Sequence, residues 1–390
     1  MSEQTPLLPG STIGVFGSGQ LGRMLALAAK PMGYHVATFS PETDSPTGQV
    51  ADMEFVGAYD DNEAVHRFVH QVDVVTFEFE NVPASVAQVA TQAGVPVRPN
   101  GNVLHVAQNR AREKTSLAHA GLPVTPFRCV NSLESLRQGL EQVGCPAVVK
   151  TASFGYDGKG QVRIETIQEV DDVWNAFVQS GSNQQTEEPN LIVEKLIDFD
   201  CEVSVVAARG VGGTFASYHV VENIHRNHIL DISIVPARLP ETVAAKARQL
   251  AQTVLEKLDV IGVLCIEFFV TQDQDLLINE IAPRPHNSGH VTIDAAVTSQ
   301  FEQQLRAVCG LPLGSTELIR PAVMLNLLGD LWDGGTPHWE VLLAQANCKL
   351  HLYGKHEARP GRKMGHMTIL DQSVDVALTT ALKIRDLLKK

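Results

Sequence analysis

The stretch IEFFVTQDQDLLINE, Ile266 to Glu280, reads as an antiparallel hairpin with an acid at one level of both arms. A turn over Gln272 to Asp275 sets Glu267 directly opposite Glu280. Opposed residues in such a pair hold their Cβ atoms about 4.5–5.5 Å apart, a spacing at which like charges repel. A divalent cation between them relieves the repulsion, and Mg2+ held by one or two carboxylates plus substrate phosphates is the usual phosphoryl-transfer arrangement. An exposed acidic pair in another register is the plain alternative. By strand parity Asn279 falls on the opposite face, so no shared site follows for it.

The hairpin runs on into IAPRPHNSGH, where prolines and Gly289 forbid a regular helix and leave Arg284, His286, Asn287 and His290 on a shaped loop beside the two acids. Polar groups on a rigid loop orient or deprotonate a reactive intermediate. Upstream, VVKTASFGYDGKGQVRI places Lys150 at the end of an apolar strand, followed by Gly155, Gly158 and Gly160 and then a second strand. Such a hairpin folds backbone N–H groups over a triphosphate while the lysine neutralises charge. It is no P-loop, because no Gly-Lys-Ser/Thr opens a helix; a merely flexible hairpin is the bland reading. From Ala147 onward the texture is α+β, strands with few helices between them.

The first hundred residues instead alternate strand and helix in the doubly wound α/β manner. GSGQLGR, Gly17 to Arg23, matches G-x-G-x-x-G between a strand and a helix, a context suited to an anion at the helix N-terminus. A nicotinamide site also wants an acid ending the second strand, but HVATFS ends on Ser40, which argues against an NAD-linked oxidoreductase. TFEFENVP puts Glu78 and Glu80 at the end of a parallel strand, the edge that faces ligands; an amine-bearing substrate is the functional reading and water-facing acids the bland one. After Gly310 a third, strand-rich region contains GKHEARPGRKMGH, whose Lys355, His356, Arg359, Arg362 and Lys363 suit a phosphate.

Length and composition bound these readings. The 390 residues suffice for roughly two to four domains. With 31 Lys+Arg against 44 Asp+Glu, a net charge of -13 disfavours nucleic acid and anionic membrane as partners. Six scattered cysteines without C-x-x-C point to a reducing, cytoplasmic setting, and neither a leader pattern nor a long apolar run is seen.

In order, GSGQLGRM, TFEFENVP, NRAREK, VVKTASFGYDGKGQ, VEKLIDFDCEVSV, ENIHRNHI, INEIAPRPHNSGH and RPGRKMGH resemble the 5-(carboxyamino)imidazole ribonucleotide synthase family of the ATP-grasp superfamily, over nearly the whole chain. The resemblance implies a pre-ATP-grasp doubly wound domain over 1–105, an ATP-grasp domain over 106–310 and a small C-terminal domain over 311–390. It implies a homodimer using ATP and Mg2+ to carboxylate 5-aminoimidazole ribonucleotide with bicarbonate through carboxyphosphate. Arg110, Lys150, the loop Gly155, Tyr156, Asp157, Gly158, Lys159, Gly160 and Gln161, the segment Glu194, Lys195, Leu196 and Ile197, and Glu202, His225, Asn279 and Glu280 would meet ATP. Glu267 and Glu280 would hold Mg2+. Gln20, Leu21, Glu78, Tyr156, Lys355, Arg362 and Lys363 would meet the ribonucleotide, and Arg284, His286 and Asn287 the carboxyphosphate. Another ATP-grasp ligase of purine metabolism would share the ATP motifs without the basic C-terminal turn.

Overall fold

The computed structural model describes residues 5–153, 160–179 and 191–388. Four parallel strands form the first sheet, in the order Met53–Val56, His35–Ser40, Thr12–Phe16, Val74–Phe77. The apolar runs of the last three are buried on both faces, as parallel strands between helices must be, while Met53–Val56 at the edge is partly exposed. Phe16, Phe39, Phe68 and Phe77 pack as an aromatic cluster on one side. On the other side helix Gln20–Ala29 meets helix Gln300–Cys309, which arrives from far along the chain, through Leu25, Phe301, Leu305 and Val308. Ser299 caps that second helix and Gly310, at φ 72°, ends it in the left-handed conformation.

A second, four-stranded antiparallel sheet runs Phe127–Val130, Leu191–Lys195, Ala147–Thr151, Gln161–Ile164. The third and largest runs Leu276–Ala282, Gly262–Thr271, Phe199–Arg209, Val221–Arg226, Ile229–Val235, Ala322–Leu328, Lys363–Leu370, Cys348–Leu352, with Phe215–Ser217 beside Phe199–Arg209. The C-terminal strands thus extend this sheet, and helix Val374–Leu388 covers them through Ala377, Ala381 and Ile384.

Two expectations need correction. Helices are not few after Ala147: Val170–Gln179 and the 17-residue Glu241–Lys257 lie there, the latter burying Ala244, Ala247, Ala251 and Val254 against Val205 and Ile266. That spacing is the 3.6-residue stripe of a core-facing helix. Nor is the acidic hairpin regular. Val270 pairs with Leu276 and Phe268 with Ile278, one register step short of the expected turn, and a bulge at Asn279 then restores Glu267 opposite Glu280. The extra residue is why parity misplaced Asn279: a bulge puts two residues opposite one and re-aims the side chain, so Asn279 and Glu280 both face the cavity described below. No helix among the described residues is long and apolar enough to cross a membrane.

Candidate active site

The three sheets converge on a cleft of ≈ 1070 Å³. The small sheet contributes Lys150, Gln161 and Leu196, the large one Glu202, His225, Glu267, Asn279 and Glu280, and the first sheet Gln20, Leu21, Glu78 and Glu80. Arg110, Arg284, His286, Asn287 and Lys363 complete the wall. Gly155, Tyr156, Asp157, Gly158 and Lys159 lie outside the described residues. Gly160 follows them at φ 71°, and a Cβ there would sit 2.7 Å from Thr151 Oγ1.

The glycine motif binds an anion that belongs to the chain. Glu78 accepts from the backbone N–H groups of Gly19 and Leu21, the latter at 3.3 Å, at the N-terminus of helix Gln20–Ala29. A Cβ at Gly19 would lie 2.4 Å from Glu78 Oε1, so glycine is needed for the close approach. The helix end that a dinucleotide phosphate would use is filled, and its partial positive charge serves a carboxylate. Burial nevertheless holds the Glu78 carboxyl above its ordinary range, against the pull of Arg284, those N–H groups and Lys355. Glu80 is bound differently: Arg284 donates to both its oxygens, at 2.5 and 3.1 Å. Burial would raise its pKa, but Arg284 brings it below the usual carboxylate value.

On the ATP-facing side, Glu194 is buried behind Lys150, whose Nζ lies 2.9 Å from Oε2, with Lys114 Nζ at 3.9 Å. Of the Glu194–Ile197 segment, Leu196 lines the cleft. Sequence reasoning passed over Glu113 and Lys114, both buried. Their signal was present: in NRAREK, Arg110, Glu113 and Lys114 stand at helical spacings i, i+3 and i+4, one face of helix Arg110–His119. Lys114 donates to the Ile278 carbonyl, and Glu113 accepts from the Ile281 N–H, which ties this helix to the acidic hairpin. Glu202 Oε2 sits 2.6 Å from His225 Nδ1. Burial lowers the pKa of His225, but the Glu202 hydrogen bond and charge raise it overall.

Glu267 has its carboxyl pushed up to about 8, first by burial and then by the charge of Glu280. His286 Nε2 stands 3.3 Å from its Oε1. Burial and the cations Arg284 and Lys363 hold His286 well below its ordinary pKa. Asn287 forms a reciprocal amide pair with Asn326 at 3.0 and 2.7 Å, which docks the loop on the C-terminal strands. On the substrate side, Lys355 donates to the Lys363 carbonyl at 2.8 Å and Arg362 to that of Glu357 at 2.9 Å. Burial, followed by Arg362, lowers Lys355 to about 8.

Behind the loop, His290 and His366 are fully buried, 5.1 Å apart between ring centres, and the Nε2 of each has no hydrogen-bond partner. Burial holds both well below the ordinary histidine pKa. A group with a depressed folded pKa contributes stability that is present above its unfolded value, near 6.5, and lost as pH falls below it. We expect unfolding free energy to drop by about 1.4 kcal/mol per pH unit for each histidine below pH ~6. Denaturant titrations at pH 7.5, 6 and 5 measure the slope; an unchanged value at pH 5 would contradict neutral burial.

A lysine-bearing small sheet that faces paired acids on a larger antiparallel sheet, across a cleft of nucleotide size, is the arrangement of an ATP-grasp ligase. Residues 115–301 match the ATP-grasp domain, 10–108 the ribonucleotide synthetase preATP-grasp domain and 322–380 the phosphoribosylaminoimidazole carboxylase C-terminal domain. The chain belongs to the N5-carboxyaminoimidazole ribonucleotide synthase family. It is 42% identical to the Bacillus subtilis N5-carboxyaminoimidazole ribonucleotide synthase over 96% of this chain and 95% of that one. The Brucella melitensis synthase is 44% identical, with 94% and 98% covered. An N5-carboxyaminoimidazole ribonucleotide synthetase in complex with ADP matches with a TM-score of 0.89 at 44% identity, over 99% of both chains. The Aspergillus clavatus synthase bound to ADP and 5-aminoimidazole ribonucleotide matches with a TM-score of 0.86 at 30% identity, covering 97% of this chain and 98% of that one.

Proposed function

We infer that this chain uses ATP to carboxylate the exocyclic amine of 5-aminoimidazole ribonucleotide with bicarbonate, a step of purine biosynthesis that produces ADP and phosphate. The observation that carries this is the convergence in one cleft of the acid pair, the Arg284–His286 loop and the first-sheet edge at Gln20 and Glu78. A bicarbonate oxygen attacks the γ-phosphorus and ADP leaves; carboxyphosphate then breaks to carbon dioxide and phosphate, and the amine adds to carbon dioxide and loses a proton.

Arg110, Lys150, Gln161, Leu196, Glu202 and His225, which line this cleft, would meet ATP, with Gly160 next to Gln161. The loop from Gly155 to Lys159 is assigned to it on motif alone, and Lys195 and Ile197 by adjacency. Glu267 and Glu280, with Asn279 beside them, fit a Mg2+ ion: two opposed carboxylates, one with its proton affinity raised, form a hard-oxygen donor pair. When bound, the ion would neutralise charge on the transferring phosphoryl group. Arg284, held by Glu80, supplies a fixed cation beside His286, and Asn287 anchors the loop carrying both. The ribonucleotide would sit against Gln20, Leu21 and Glu78, with its 5′-phosphate near Lys355, Arg362 and Lys363; Tyr156 is assigned to it on motif alone. In this reading the functional units are 1–105, 106–310 and 311–390. We further propose a homodimer in the cytoplasm: the six cysteines are all free thiols, as a reducing compartment keeps them.

ADP release from ATP and bicarbonate, measured with and without 5-aminoimidazole ribonucleotide, tests the reaction, and strong dependence on the ribonucleotide is expected. Arg362→Ala should raise the KM for the ribonucleotide about ten-fold or more, the scale of one lost charge-assisted phosphate contact, and leave that for ATP near normal. Equal effects on both would remove the phosphate assignment.

A further inference from the structure

Beneath His286 runs a line of buried polar side chains that spans three strands and ends on the imidazole. Ser233 Oγ donates to Asn223 Oδ1 at 2.9 Å, and Asn223 Nδ2 donates to Ser204 Oγ at 2.9 Å. Ser204 Oγ donates to Ser288 Oγ at 2.8 Å, and Ser288 Oγ lies 2.9 Å from His286 Nδ1. Ser204, Ser233 and Ser288 are wholly inaccessible and Asn223 is 5% exposed. The strand register aligns them: Asn223 faces Ser233 on one side, and Ser204 pairs with Glu267 on the other.

The direction of this chain is set by chemistry. An amide nitrogen only donates, so the Ser204 oxygen accepts from Asn223 and its single proton is left for Ser288. Ser288, accepting that proton, has its own for Nδ1, and the Ser288 backbone N–H, which only donates, also points at Nδ1 from 3.3 Å. A proton on Nδ1 would face that backbone donor and would turn the Ser288 hydroxyl from donor to acceptor. We propose that Asn223, Ser204 and Ser288 are positioning residues that hold His286 in its Nε2–H tautomer, so that Nε2, 3.3 Å from Glu267 Oε1, presents a hydrogen-bond donor to a bicarbonate-derived oxygen in the cleft. The orienting partner of a functional histidine sets which nitrogen carries the proton. The proposal rests on the reading of His286 as a substrate-facing group.

The test uses the full-length protein with ATP, bicarbonate and 5-aminoimidazole ribonucleotide. Ser288→Ala and Ser204→Ala should each lower kcat for carboxylation about ten-fold, with the KM for ATP changed less than about two-fold, as losing an orienting partner does. ADP formed per product should rise above one, and Ser288→Thr, which keeps the hydroxyl, should restore coupling. Nitrogen-15 correlation spectra of the wild-type imidazole should show the Nε2–H pattern for His286 and a tautomer mixture in Ser288→Ala. An Nδ1–H pattern in the wild-type protein overturns the proposal whatever the variants do. So do wild-type kcat and coupling in both alanine variants when His286→Ala is inactive. If His286→Ala itself carboxylates normally, the reading beneath the proposal fails and the proposal with it.

Discussion

Glu280→Gln is expected to lower ATP turnover by about 100-fold or more, the range for removing a group that stabilises charge in phosphoryl transfer. The substitution keeps the shape of the side chain and the hairpin register, so the loss reports charge. Glu267 and Glu280 face each other across the hairpin, and Glu267 is pushed up to about 8 by burial and by Glu280. Two acids held face to face oppose the fold, and such a local conflict marks a functional site. The same variant should therefore unfold at an equal or higher denaturant midpoint than the wild-type chain, because one source of repulsion is gone. Steady-state ADP release and urea titration measure the two halves. Near-normal turnover removes the metal-ligand assignment, and a marked loss of stability means the carboxylate has a structural partner.

The second large effect concerns stability. Glu194→Gln should destabilise the chain by about 3–5 kcal/mol, the cost of removing one member of a buried ion pair and leaving the other uncompensated. Lys114 and Glu194 have side-chain exposures of 2% and 4%, so water does not screen them. Burial alone would raise the Glu194 carboxyl, yet Lys114 and Lys150 hold it below the ordinary value; the ion pair outweighs desolvation there. Lys150, at 16% exposure, is able to turn to the cleft, whereas Lys114 is not. Urea unfolding at pH 7 measures the loss, and a value under about 1 kcal/mol would show that the buried cations find other acceptors.

The acidic hairpin shows how far local pattern carries and where it stops. Alternation and turn residues placed Glu267 opposite Glu280, but the turn is centred one register step away and the bulge at Asn279 makes up the difference. Two deviations cancelled, and a bulge carries no composition of its own in this stretch. Helix Glu241–Lys257 had an ordinary helical signature, with alanines at i, i+3 and i+7, and an expectation dominated by strands overlooked it. Arg110 was legible from its motif, while Glu113 and Lys114 needed the helix face to be followed one turn further.

By itself the sequence determined what depends on neighbours along the chain: the doubly wound first sheet, the hairpin strands Ala147–Thr151 with Gln161–Ile164 and Gly262–Thr271 with Leu276–Ala282, the acid pair and the basic C-terminal turn. Tertiary structure alone decided which charge meets which. That Glu78 fills the helix end at Gly19, that Glu80 clamps Arg284, that Glu194 sits between two lysines and that Ser204 reaches His286 through Ser288 are contacts between segments far apart in the chain. Periodicity records which side of an element is buried, because burial repeats with the backbone. A hydrogen bond between distant elements has no period, and only the packing of the sheets brings its partners together.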